Sequence, residues 1–109
     1  MLSFLKKILG QPSAAPDLTA LLQQGAIIID VRTPGEFQSG HIKGSLNYPL
    51  DSLSKKKAEL KKLKQPLITV CRSGMRSRLA LSQLRNEGLE VYNGGAWTNL
   101  QQQLPANTR

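Results

Sequence analysis

The chain has 109 residues, which makes one domain with room for a single hydrophobic core. Its one cysteine excludes an internal disulfide framework and any multi-cysteine metal site, and its one histidine, His41, adds no metal cluster. Lysine and arginine outnumber aspartate and glutamate 15 to 7, giving a formal net charge of +8, and no apolar run approaches the ~18 residues of a membrane span.

Residues 1–16 read as a short stub and linker ahead of a domain at 17–109. Leu2, Leu5, Ile8 and Leu9 share one helical face, with Lys6 and Lys7 opposite. The charge order and short apolar run do not fit a secretory signal. Packing on the domain or on a second copy, or disorder, is preferred over contact of residues 1–9 with a membrane. Residues 10–16, rich in proline and small residues, form the linker.

Asp17 is placed to cap a short helix carrying Leu18, Leu21 and Leu22, which Gly25 stops. Residues 26–31 are too uniformly apolar for a surface strand and predict a central parallel one. Thr33 and Pro34 open a helix that contains Glu36. Gly40 and Gly44 bracket His41 and Ile42 in a loop. Residues 46–48 predict a brief strand ended by Pro49. Asp51 is expected to cap a helix with Leu53, Leu60 and Leu63 inward and its lysines outward. Residues 67–70 predict a buried strand that ends in Cys71. From Ser77 a helix follows on Leu79, Ala80, Leu81 and Leu84. Residues 90–92 predict a last strand, 93–95 a turn and 97–104 a closing helix. Strands alternating with helices imply an α/β fold, a small open parallel sheet with helices on both faces.

In such a sheet ligands bind beyond the carboxyl ends of the strands. Asp30 and Arg32, the Cys71 loop, and Gly94 with Gly95 all fall there. The loop after Cys71 holds Arg72, Ser73, Gly74, Met75 and Arg76. A loop that leaves a strand and enters a helix turns N–H groups toward its centre and forms an anion cradle. The helix N-terminus, those N–H groups and two guanidiniums each favour the thiolate, which is the nucleophile. A lone cysteine is commonly an inert small hydrophobe. The flanking Arg72, Ser73, Gly74 and Arg76 argue instead for a reactive thiolate.

Asp30 and Arg32 are read as a buried network that supports the neighbouring loops, with Glu36 as a partner, because nothing in their spacing implies acid–base work. His41 is read as a satisfied loop histidine and not as a base for Cys71. Trp97 is read as core packing. The lysines at 55, 56, 57, 61, 62 and 64 read as a solvated face; the functional alternative is a surface that draws in anions or an acidic partner. No nucleic-acid partner is expected, since no aromatics interleave the basic residues and no nucleic-acid motif appears.

The loop from Cys71 to Arg76 resembles the active-site loop of the rhodanese family of single-domain sulfurtransferases. The resemblance extends to residues 29–37, 40–47 and 93–97, four motifs in the family's order. It implies Cys71 as the catalytic residue, which carries a persulfide. It implies Arg72, Ser73, Gly74, Met75 and Arg76 as the binding loop, with Arg76 pointing inward at an anionic donor. Asp30, Arg32, Glu36 and His41 are then structural support. The partners implied are a small anionic sulfur donor and a thiol or protein-cysteine acceptor; no cofactor and no metal are implied. Four residues separate Cys71 from Arg76. Related phosphatases use a longer loop, and they supply an acid for the leaving group, which is not evident here. The family also includes low-turnover sulfur relays and protein-binding modules, the alternative reading. The lone thiol suits a reducing compartment, so a cytoplasmic setting is expected.

Overall fold

The structure, a computed structural model, describes residues 17–106. The amphipathic stub and linker expected at 1–16 lie outside the described residues.

Four parallel strands form one sheet in the order β2-β1-β3-β4, with β1 at Ile27–Asp30, β2 at Leu46–Asn47, β3 at Leu67–Cys71 and β4 at Val91–Ala96. The helices are α1 at Leu18–Gln23, α2 at Pro34–Ser39, α3 at Lys57–Lys61, α4 at Met75–Asn86 and α5 at Trp97–Gln103. The α/β parallel sheet read from the sequence is therefore the fold observed.

Alternation along the strands sends side chains to both faces. Ile29, Val31, Leu67 and Val91 pack with Leu53, Leu60, Ala80 and Leu84 on the side of α3 and α4. Ile28, Ile68 and Val70 pack with Ile42 and Leu100 on the side of α1 and α5. Among the described residues, no helix is long and apolar enough to cross a membrane.

Local signals set several boundaries. The Asp17 carboxylate accepts the Ala20 N–H at 3.2 Å and caps α1. Thr33 and Glu36 form a reciprocal capping box at the start of α2, with Pro34 in its first turn.

Three local expectations need correction. Asp51 caps nothing: it lies inside a 3₁₀ helix at Leu50–Lys56, which starts behind Pro49 and precedes α3. The turn expected at 93–95 is instead part of β4. Thr69 pairs with Asn93 while Val70 pairs with Gly95, so Gly94 is the extra residue of a bulge. A Cβ on Gly94 would stand 2.8 Å from Ile68 and Val70 side-chain atoms, which is why only glycine fits. Leu79 faces solvent instead of the core, because the inward face of α4 is Ser77, Ala80 and Leu84.

The lysine-rich segment is partly tied down. Lys57 and Lys61 reach Glu87, the residue that caps the C-terminus of α4, at 3.3 and 3.1 Å.

Candidate active site

β3 carries Cys71 at its last position, and α4 begins only four residues later. The reversal is made at Gly74, whose φ of +97° lies in the left-handed region. This tight reversal directs the Gly74 N–H at Sγ, 2.9 Å away. Arg72 and Ser73 are exposed at the rim, and Met75 opens the helix.

Cys71 itself has 0% exposed surface. It lies on the floor of the cradle, beneath that rim. Burial acts first and raises the thiol pKa. The N–H and hydroxyl of Ser77 and the N–H groups of Gly74 and Ser73 outweigh it, so the thiol ionises below its ordinary value. The donors at the sulfur are thus mainly backbone amides.

Ser77 was legible in the sequence only as the first residue of a helical pattern. Its hydroxyl lies 3.6 Å from Sγ and donates to Asn93 Oδ1 at 2.7 Å, with the Gly74 carbonyl at 3.0 Å as a second acceptor. Asn93 Oδ1 also accepts the Gly95 N–H at 2.9 Å. The Thr69 hydroxyl donates to the Ser77 carbonyl at 2.9 Å. The bulged end of β4 therefore braces the start of α4. A polar residue at 77 and an asparagine two residues before a glycine at 95 were the available signals, and neither is specific.

Arg76 does not point freely into the loop. Its guanidinium forms a bidentate pair with Glu36, Nη1 to Oε1 at 2.8 Å and Nη2 to Oε2 at 3.0 Å. The pair spans 40 residues of sequence and ties α2 to α4. Arg76, and then the Thr33 N–H, hold the Glu36 carboxyl well below the usual carboxylate range. Arg76 is raised first by Glu36, and the charge of Cys71 adds to that, so the guanidinium is within electrostatic reach of the sulfur. A cation in the first turn of a helix is opposed by the dipole, and Glu36 offsets that.

The supporting residues form a second network. Asp30 is fully buried and binds Arg32 through Nε at 2.9 Å and Nη2 at 2.7 Å. Arg32 donates onward to the Glu36 carbonyl at 3.1 Å and the Gly40 carbonyl at 2.7 Å. Glu36 thus joins this network through its backbone, while its carboxylate goes to Arg76. The guanidinium of Arg32 also stacks on Trp97, 4.6 Å from the ring centroid. His41 Nδ1 lies 2.7 Å from the Phe37 carbonyl, which only accepts, so that nitrogen carries the proton. Its ring stacks on Phe37 at 3.7 Å. Among the described residues, the hydrogen bond and the ring contact of the histidine both go to Phe37, and neither goes to Cys71. A cleft of about 500 Å³ lies beside the loop, lined by Arg32, Glu36, Ser39, Arg72, Trp97 and Thr98.

This site combines a sulfur that ionises readily, convergent amides and a tight turn. The profile of the rhodanese-like domain family matches residues 14–100. The uncharacterized protein YqhL of Bacillus subtilis is 44% identical over 69 residues, which is 62% of this chain and 54% of that protein. The thiosulfate sulfurtransferase GlpE of Pseudoalteromonas translucida is 39% identical over 90 residues, 78% of this chain and 85% of the relative. Among solved structures, a rhodanese with anions from E. coli matches with a TM-score of 0.63 and 27% identity, covering 69% of this chain and 91% of that one. The chain belongs to the rhodanese-like domain family.

Proposed function

We propose that the chain is a sulfurtransferase. It moves a sulfane sulfur from thiosulfate or a persulfide, through a persulfide on Cys71, to a thiophilic acceptor such as cyanide or a thiol. The observation that carries this reading is the Gly74 N–H 2.9 Å from Sγ, an amide that favours an anionic sulfur at the head of a loop with only four residues between Cys71 and Arg76. A phosphoryl group above the sulfur needs a longer loop. The name of the relative from Pseudoalteromonas translucida supports thiosulfate as a donor.

The Cys71 thiolate attacks the outer sulfur of thiosulfate. An S–S bond to Cys71 forms, the S–S bond of the donor breaks, and sulfite leaves with the electron pair. The Cys71 persulfide anion then gives its outer sulfur to cyanide, which leaves as thiocyanate, and the thiolate returns. Each step exchanges one bond to sulfur for another, so the cycle balances without a redox cofactor. The amides of Ser73, Gly74 and Ser77 stabilise the anionic sulfur throughout. Arg72 and Arg76 attract the donor, and Asp30, Arg32, Glu36 and His41 hold the elements around the loop. A reducing, cytoplasmic setting belongs to the same reading.

Intact mass after exposure to thiosulfate tests it. The protein is expected to gain one sulfur, to lose it to cyanide, and to gain none as Cys71→Ser. A wild-type protein that stays unmodified by thiosulfate and by persulfides overturns the proposal. A second reading, a low-turnover relay or protein-binding module, is supported by the full burial of Cys71. Activity with a protein persulfide but not with thiosulfate selects it.

A further inference from the structure

Among the described residues, nothing covers Met75 and Leu79 on the outward face of α4. Ser77, Ala80 and Leu84 turn inward and are buried. Met75 and Leu79, one helical turn apart, are 76% and 57% exposed. Arg78 shares that face, Arg72 precedes the turn, and both are exposed. Among the described residues, neither arginine meets a carboxylate within ion-pair distance, and Glu36 is already bound by Arg76. Single exposed apolar side chains are ordinary. These two are a matched pair, and the first directly follows Gly74, whose N–H binds Sγ.

We propose that Met75, Arg78, Leu79 and Arg72 form a docking rim for an acidic, partly apolar protein segment that delivers a cysteine persulfide to Cys71. The proposal rests on the sulfur-transfer reading and names the class of donor for that site. Charge selects this occupant. A second copy presents the same arginines and the same net charge of +8, and residues 1–10 bring Lys6 and Lys7. A small dianion makes no use of two apolar side chains.

In the step itself the Cys71 thiolate attacks the outer sulfur of the bound persulfide. The new bond joins that sulfur to Sγ, and the donor's own S–S bond breaks. The donor cysteine leaves as a thiolate and takes the proton that the persulfide carried. One sulfur has moved, and charge and protons balance.

The probes are two synthetic peptide persulfides of equal length, one with the cysteine among leucines and glutamates, the other among serines and glycines. The third donor is thiosulfate. Persulfide formation on the full chain is followed by intact mass. The acidic apolar peptide is expected to react about tenfold faster than the neutral one, an advantage that falls with added salt. Arg78→Glu combined with Leu79→Ser is expected to erase that advantage and to slow thiosulfate only through lost long-range attraction, a difference that added salt removes. The single variants, Arg78→Ala and Leu79→Ala, each erase part of it. Equal rates for the two peptides overturn the docking proposal, as does a double variant that slows all three donors alike. Sedimentation showing a dimer that Leu79→Ser dissociates, or flotation with phosphatidylserine vesicles lost in that variant, also overturns it. If none of the three donors modifies the protein, the sulfur-transfer reading fails and the docking proposal falls with it.

Discussion

Cys71 lies beneath its loop, and its reactivity is set by what touches the sulfur there. Burial opposes ionisation, while the Ser77 N–H and hydroxyl, the Gly74 N–H and the Ser73 N–H favour it and prevail. The Ser77 hydroxyl has nearer acceptors in Asn93 and Gly74, and its oxygen lies 3.6 Å from the sulfur. The rate of alkylation by iodoacetamide against pH reports this balance. Its midpoint is expected below 9.0, the ordinary value of the thiol. Ser77→Ala removes one stabilising group and is expected to move the midpoint upward while the protein stays folded. A midpoint that stays in place assigns the stabilisation to the amides alone. Only part of this was legible in the sequence. The cysteine at a strand end and the glycine three residues on were visible, but an amide aimed at sulfur depends on the left-handed turn at Gly74.

The same division runs through the elements. Local chemistry announced α1 and α2, where Asp17, Thr33, Pro34 and Glu36 act within a few residues of one another. Uniform apolar runs announced β1 and β3, because both faces of each are covered. Only the start of β4 was read, at 90–92; its continuation was hidden, since its bulge depends on contact with β3 and residues 93–95 read locally as a turn. Gly94→Ala tests that account. Its Cβ would meet Ile68, Val70 and the Thr69 carbonyl at 2.8–3.0 Å, and overpacking of this kind costs about 1–3 kcal/mol. A fall in denaturation midpoint is expected, and unchanged stability would remove the close-approach argument. The Glu36–Arg76 pair was equally hidden, since it joins residues 40 positions apart. Glu36 has a lowered pKa in the folded state, so its contribution is present in full above its ordinary value of 4.5 and fades as pH falls through the lower folded value. Glu36→Gln is expected to lower Tm by about 2–5 °C near neutral pH. The gap to wild type should narrow progressively as pH falls below 4.5 toward the folded value. A gap that is constant across the acid range assigns Glu36 a packing role alone.

At the scale of the molecule the decisive quantity is where positive charge remains unpaired. The net charge of +8 is spread over the whole chain, but several cations are locally answered. Asp30 answers Arg32, Glu36 answers Arg76, and Glu87 answers Lys57 and Lys61. Arg72 and Arg78, flanking the start of α4, are not answered among the described residues. A field from exposed charges acts over roughly a Debye length, about 10 Å at 0.1 M salt. It therefore speeds the encounter of an anion with the loop in a salt-dependent way, in proportion to the anion's charge. Thiosulfate is a dianion and methanethiosulfonate a monoanion, and both offer an outer sulfur to the same thiolate. Raising ionic strength is expected to lower kcat/KM for both, with the steeper slope for thiosulfate. Arg72→Ala should flatten the thiosulfate slope, whereas Lys62→Ala, in the lysine-rich segment, should change it little. Equal slopes for the two donors, or a larger effect from Lys62 than from Arg72, would assign the attraction to the lysine-rich segment instead of the loop.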